Sequence, residues 1–573
     1  MGSITKKKIK GKNYYYYVES KRINGKPHFV NQKYLGTPDQ LLKMALQRDM
    51  SLQDQVLYAH EIDFGCIALM YDLAMRLGII DIIDSVVPKR KQGASIGTYI
   101  IVATLNRIVN PMSKSGLKDW YEKTCLPLIM GLRPSVFSVQ NFWNNVRIST
   151  DQLCEIENLI TKKVIDYYNL NTDRLIYDAT NFFTYIDTTT PSDLAKRGRD
   201  KAKRYDLRRV GLSLFVEPGF SIPFVSSVYP GNRNDSVQFS IITELLRSRY
   251  ESITGCNPDI TFVFDRGNNP EDTLNLLEKD DVPFHYVGEL KRKQASNLFA
   301  IRKKDYIPLE CPESASENLK KLTVHRMTVN VFGRDVTAVI VYNPDLEAGQ
   351  MQGINLDIDK TKDELLALQE RLLKRACKEI LPGKRPTVES VTKDVSDILK
   401  EREYMSDIFD YEIFEKAGNA SLSFSKSEEK LNAVKEAWLG KTALFTDRND
   451  LSNFEIVAAY RSASHVKSSF RQLKDTDFIT VHPIFHWTDE KIAIHIFICV
   501  LAYRLCTLMQ KELSDLGINS SIDQCIESMN AVKKVTTFYG DISKPKKLSA
   551  FIKGDDLSTE IETHYKLKEK YGN

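Results

Sequence analysis

The sequence predicts an α/β protein: a mixed sheet, preceded by a helical region and interrupted by a long β/α insertion. Two apolar runs of strand length each close on an acid, Leu175-Ile176-Tyr177-Asp178 and Ile260-Thr261-Phe262-Val263-Phe264-Asp265. Three strand-like segments come first, and helix and strand alternate afterwards. A long helical segment from about 451 to 474 follows the insertion and carries the landmark Tyr460 to Lys474.

Bulk properties bound the reading. At 573 residues the chain exceeds one hydrophobic core, so roughly three or four structural units are expected. Hydrophobic residues make up 42% and charged residues 27%, an ordinary globular balance that argues against long disordered stretches. The net charge of +5 says little, but its distribution says more. Between Lys196 and Arg209 eight basic residues face two acids, Asp200 and Asp206. Such a run reads either as a solvated loop or, beside a metal-binding carboxylate, as a phosphate-gripping segment. Nine scattered cysteines without a C-x-x-C pair fit reduced thiols and argue against both a disulfide framework and a zinc ribbon. The basic residues at the N-terminus have no apolar stretch behind them, so no signal peptide is expected. The most apolar segment, Ile492 to Leu505, contains His495 and Arg504 and reads as a buried helix, so no membrane partner is expected.

In chain order, residues 1–50 read as a small basic β-hairpin unit. Tyr14-Tyr15-Tyr16-Tyr17-Val18 leads to the turn signal Asn24-Gly25 and then Pro27-His28-Phe29-Val30. The tyrosines suit a packed strand or a stacking platform. Residues 51–170 read as helical, with an apolar stripe at Ile67, Met70, Leu73, Leu77 and Ile80 and a basic loop at Pro88-Lys89-Arg90-Lys91. This region either contacts DNA or scaffolds the next domain. Residues 171–290 hold the first part of the core. The run ending at Asp178 precedes strands at 210–216 and 222–229, joined by the turn Glu217-Pro218-Gly219-Phe220. A helix from Asp235 and Ser236, the strand at 260–265, a helix at Pro270 and a strand at 284–287 complete it. Together these describe a ribonuclease-H-like mixed sheet. Residues 291–440 form the insertion, strands at 322–332 and 336–342 and then helices at 361–380 and 387–402, broken by Pro382-Gly383-Lys384-Arg385-Pro386. The core resumes over 441–510 with a strand at Lys441–Thr446 and the long helix. Residues 511–573 are expected to be a helical tail.

Phosphodiester chemistry commonly uses two divalent cations about 3.5–4 Å apart, held by carboxylates on rigid elements. Asp178 and Asp265, closing the first and fourth strands of such a sheet, are expected side by side. A lone strand-ending Asp is usually a turn or cap residue; two in this strand order, with a basic segment between them, are not.

These blocks resemble those of the DDE transposases of bacterial and archaeal insertion sequences, in the branch with a β-rich insertion and a Tyr-x2-Arg-x3-Glu-x6-Lys helical signature. The resemblance rests on Tyr177-Asp178-Ala179-Thr180-Asn181, on Tyr229-Pro230-Gly231-Asn232-Arg233-Asn234-Asp235, on Phe264-Asp265-Arg266-Gly267, and on the helix from Tyr460 to Lys474. Pro483 to Asp489 and the apolar helix around His495 are also similar, so the likeness runs from about 60 to 510. It implies Asp178 and Asp265 as catalytic metal ligands for Mg2+, for which Mn2+ can substitute. It implies DNA contacts at Tyr460, Lys474 and Asn232, with Asp235 near the site; Arg461, Arg471, Arg197, Lys201 and Arg204 are the neighbouring basic candidates. It further implies double-stranded DNA as partner, both terminal inverted repeats and target, a homodimer in a synaptic complex, and a prokaryotic cytoplasmic, nucleoid-associated location. Two signature positions depart: Ala463 stands at the Arg position and Lys467 at that of the third catalytic acid.

The second departure is chemically severe. A unit charge at about 4 Å is worth roughly 4 kcal/mol at a surface-like dielectric, and a protonated lysine cannot ligate Mg2+. Around 467 the same helix face offers Ala463, Ser464, Phe470 and Arg471, none of them acidic. Glu455 lies about 18 Å back along the axis at about 1.5 Å per residue. Two readings stay open: an impaired transposase, or a transposase-derived DNA-binding protein or repressor.

Overall fold

The structure is a computed structural model that describes residues 2–9, 12–23, 26–38, 40–41, 56–88, 93–198, 204–233, 235–254, 260–264, 270–278, 284–313, 315–377, 379, 385–416, 418–474, 479–541 and 543–572. The turn Asn24-Gly25, the basic loop residues 89–92 and residues 382–384 of the break at 382–386 lie outside the described residues. The chain divides into two compact units, Met1–Arg147 with Leu508–Asn573, and Ile148–Thr507.

The first unit opens with an antiparallel sheet of β1 (Gly2–Ile9), β2 (Lys12–Ile23) and β3 (Lys26–Gly36). A hairpin was the expectation; the lysine-rich start is itself a strand, with Lys6 opposite Tyr15 and Lys8 opposite Asn13. Pleating splits the tyrosine run between two faces. Tyr14 and Tyr16 lie 6.2 and 5.2 Å from Tyr34, and Lys7 sits 5.0 Å from the Tyr16 ring centre. Next comes a strand, β4 (Val56–Asp63), where helix was expected. Helices Gly65–Arg76, Ile79–Val86 and Ile96–Val109 follow. The last begins at Ser95, whose hydroxyl accepts from Thr98 N at 3.2 Å, and is buried along nearly its whole length.

The second unit starts with helix Thr150–Tyr168, closed by a Ser149/Gln152 capping box. Then come β5 (Arg174–Thr184), β6 (Arg208–Val216), β7 (Pro223–Pro230), helix Asp235–Thr254, β8 (Thr261–Phe264), helix Pro270–Leu277 and β9 (His285–Glu289). At the expected turn the Glu217 carboxylate accepts from the N–H groups of Gly219 and Phe220 at 2.5 and 2.9 Å. The chain continues through β10 (Ile307–Pro308), β11 (Thr323–Val331) and β12 (Arg334–Tyr342). Helices Pro344–Ala376 and Val388–Glu401, the hairpin β13 (Phe409–Lys416) and β14 (Asn419–Lys426), and helix Glu428–Trp438 share one apolar cluster built on Leu365, Leu372, Val395, Leu422 and Leu431. β15 (Lys441–Thr446) and helix Asn453–Lys474 follow.

Among the described residues nine of these strands form one mixed sheet, in the order β10-β11-β12-β15-β9-β8-β5-β6-β7, while β13 and β14 pair with each other. β5, β8 and β9 run parallel, while β6 is antiparallel to both its neighbours. The insertion therefore differs from the separate domain that the sequence suggested. Its first strands extend the sheet, because β15 pairs antiparallel with β9 and offers its other edge to β12. Tyr177, Phe215 and Phe262 crowd one sheet face with Phe239 of helix Asp235–Thr254, whose ring lies 4.8 Å from Tyr177. Helix Asn453–Lys474 crosses the other face.

Helix Asp489–Asp515 is longer than the apolar segment predicted and is long and apolar enough to cross a membrane, but 94% of its apolar window is buried inside the protein. Beyond it the expected helical tail is interrupted by two strands, β16 (Lys533–Asp541) and β17 (Lys544–Phe551), between helices Ile522–Asn530 and Asp556–Tyr565. β16 is rich in β-branched and aromatic residues, the types that suit a pleated surface. It pairs with both β17 and β4, giving the sheet order β17-β16-β4 and explaining why 56–63 is extended.

Candidate functional site

Asp178 sits inside β5 rather than at its end, half-buried and opposite Leu214 of β6. One of its carboxylate oxygens accepts from Ala179 N at 2.8 Å. Asp265 directly follows the last residue of β8 and lies outside the described residues, as does Lys201. The register makes Ile176, Val263 and Val287 level across β5, β8 and β9. Asp178 stands two residues beyond that level in β5, and Glu289 two residues beyond it in β9. Level residues on parallel strands share a sheet face, so Asp178 and Glu289 face the same side.

That side is the one crossed by helix Asn453–Lys474. Near its start the Tyr460 hydroxyl donates to the Glu289 carboxylate. At its end Lys474 Nζ donates to Thr180 Oγ1 at 2.6 Å, two residues along β5 from Asp178, and lies 5.7 Å from the Phe182 ring centre. One helix thus touches both strands that flank β8. Position 467 is seven residues from each contact, about two turns, and so falls on the same helix face; the Lys467 side chain lies outside the described residues. Arg461 donates to Asn318 O at 3.3 Å, and burial holds its guanidinium below the usual value. The ring of His482 packs 5.3 Å from Phe182, and burial, with Lys474 beside it, keeps its pKa down. Arg471 is exposed.

The basic segment is partly built into the fold. Lys196 and Arg209 exchange backbone hydrogen bonds of 3.1 and 2.9 Å, and Arg209 Nε donates to Gly231 O at 2.7 Å. Arg208 donates to Thr190 O at 2.6 Å. Arg204 is exposed and forks onto Asp206 at 2.9 and 2.8 Å, holding that carboxyl down at about 2; Arg197 is exposed. Arg199 and Lys203 lie outside the described residues. Asn232 is exposed in the turn that follows β7. Its neighbour Gly231 is packed so closely that a Cβ would stand 1.9 Å from Arg209 O, a backbone atom with little room to move. Gly231→Ala is expected to cost about 1–3 kcal/mol through overpacking, read as a lower melting temperature; an unchanged value would show that this turn is loose.

The geometry joins Tyr460, Lys474 and the Asp178 strand, and leaves Arg204 and Arg471 as surface cations. It adds Glu289, which the sequence did not single out because nothing local marks a strand-ending Glu as level with Asp178. Among the described residues no group of three or more His, Cys, Asp or Glu is placed to hold a metal ion. The described donors near Asp178 therefore do not by themselves complete such a site.

The site defines a mixed α/β protein with an acid-bearing parallel strand crossed by a long helix. Against known proteins, no family profile and no curated protein matches the chain. Among solved structures it is similar to the piggyBac transposase, determined by cryo-EM as a synaptic complex with hairpin DNA, at 9% identity and a TM-score of 0.37, over 81% of this chain and 79% of that one.

Proposed function

We propose that the chain is a DDE-type transposase by descent, with a ribonuclease-H-like core that binds the DNA ends of an insertion sequence, cleaves them and joins them to target DNA. In this reading Asp178 and Asp265 would hold Mg2+, whose bound chemistry would be activation of water and stabilisation of the leaving oxygen, and Tyr460, Lys474, Arg461 and Asn232 would face the DNA. The protein would act as a homodimer on double-stranded ends. The observation that carries the reading is the single helix that contacts β5 beside Asp178 through Lys474 and β9 through Tyr460. Three early strands, then helix and strand alternating, with first and fourth strands adjacent, support it.

Metal-dependent cleavage of labelled element ends is the test. Loss of a metal ligand removes several kcal/mol of transition-state stabilisation, so Asp178→Ala is expected to lower cleavage about a thousandfold or more. Cleavage by Asp178→Ala at the parent rate would end the acid assignment. Lys467 favours a second reading, in which the protein binds element ends without cutting them and acts as a repressor. Binding of ends by a parent that shows no cleavage in Mg2+ or Mn2+ would select it.

A further inference from the structure

The β17-β16-β4 sheet is a distinct surface in the first unit. Residues 533–553 carry six lysines against one aspartate, Asp541. The lysines at its base are used internally: Lys533 pairs with Glu61 and Asp63, each at 3.1 Å, and Lys534 donates to Gly572 O at 2.8 Å. Lys544, Lys546 and Lys547 form no ion pair among the described residues, and residues 543–550 are all exposed. Across the sheet, Lys547, Phe538 and Tyr58 stand level on one face. The Phe538 and Tyr58 rings stack at 4.5 Å and 19°, and Tyr58, on the outer strand, is 55% exposed.

We propose that this sheet binds a nucleic-acid strand with unpaired bases, stacking a base or sugar on the Tyr58 ring and gripping phosphates with Lys547 on that face and, around the exposed β17 edge, with Lys546 and Lys544, whose positions alternate to the other face. An open aromatic ring beside unpaired lysines is the combination that single strands use, since stacking tolerates any base and the cations follow the backbone. A second copy of the chain is the other candidate occupant of an open sheet edge. β17 opposes it, because Pro545 and like-charged lysines on an edge strand block pairing with another strand. Charge complementarity favours the polyanion. The inference stands on this surface alone and goes beyond the chemistry assigned to Asp178.

Fluorescence anisotropy of the full-length protein with a labelled single-stranded oligonucleotide and its duplex, over a salt series without divalent metal, tests it. Replacing Lys544, Lys546 and Lys547 together by glutamine is expected to weaken single-strand binding about tenfold or more. At roughly 0.7 per lost phosphate contact, the slope of log K against log salt should fall by about 2. Their joint replacement by arginine should preserve binding. Tyr58→Ala should weaken single-strand binding about tenfold and leave the duplex unaffected. Melting temperatures check that each variant folds, and Asp178→Ala, with this sheet intact, should bind the oligonucleotide as the parent does while losing cleavage, so the two readings fail separately. Parent-like affinity and salt slope in the glutamine variant would overturn the proposal. So would a glutamine variant that loses only self-association, which would assign the sheet to a second copy. Equal losses for duplex and single strand in Tyr58→Ala would overturn the role given to unpaired bases.

Discussion

Under the transposase reading proposed above, replacing Lys467 by glutamate is expected to raise metal-dependent cleavage of element ends about a thousandfold or more. Helix Asn453–Lys474 is held over the Asp178 face by Tyr460, about two turns from its start, on Glu289 and by its last residue, Lys474, on Thr180. Position 467 lies midway between these two contacts on the same helical face; in the proposed reading an acid there would help to hold a dication and an ammonium would repel it. Each unit of charge changed at about 4 Å is worth roughly 4 kcal/mol at a surface-like dielectric, close to a thousandfold in rate at about 1.4 kcal/mol per tenfold. The exchange of lysine for glutamate changes two units, so about a thousandfold is the smaller end of the expected gain. Lys467→Gln removes the repulsion without adding a ligand and should fall between parent and glutamate variant. Single-turnover cleavage in Mg2+ and in Mn2+ measures all three. If the parent already cuts and Lys467→Glu changes nothing, the third acid lies elsewhere. Glu289, level with Asp178 two strands away, is then the residue to replace by glutamine.

What the sequence made legible follows from how local each signal is. Asp178, Tyr460 and Lys474 were readable because each lies in a short, strongly patterned segment, an apolar strand or a helix with fixed spacing. Glu289 was not, since its relation to Asp178 exists only through the register of β8 between them. β11, β12 and β15 were legible as strands but not as one continuous sheet with β9, because pairing partners are not written into a strand's own residues. β4 and β16 were missed for a stronger form of the same reason. They lie at opposite ends of the chain, and Tyr58, Ala59, His60 and Glu61 in a row are exposed, so no alternation of buried and exposed residues marks the strand. The insertion's helix Pro344–Ala376 begins well before the expected 361: the stripe of Leu365, Leu368 and Leu372 continues back through Ile358 and Ile354, where the surrounding Gly353, Asn355, Asp357 and Asp359 obscure it in the sequence.

Glu157→Ala is expected to destabilise the second unit by about 3–5 kcal/mol, the usual cost of removing one partner from a buried ion pair. On helix Thr150–Tyr168 an acid reads from sequence as part of a solvated face; here its side chain is only 4% exposed. Its carboxylate accepts from Arg249 at 2.7 Å, from Ser226 N at 3.0 Å and from Ser226 Oγ at 2.6 Å, and it lies 3.7 Å from Arg504. Four elements therefore meet on one acid: this helix, edge strand β7, helix Asp235–Thr254 and helix Asp489–Asp515. Burial already depresses the Arg504 guanidinium, to about 10, with Glu157 as the opposing influence. Deleting the carboxylate leaves two buried cations facing each other and an amide N–H without its acceptor, so the loss exceeds that of one hydrogen bond. Glu157→Gln keeps acceptor and volume and removes only the charge, and should cost less than alanine. Chemical denaturation of the parent and both variants decides the matter. Equal stabilities for alanine and glutamine would show that charge alone, rather than packing or the retained acceptor, holds this junction. A loss below about 1 kcal/mol for alanine would place the cluster in contact with water.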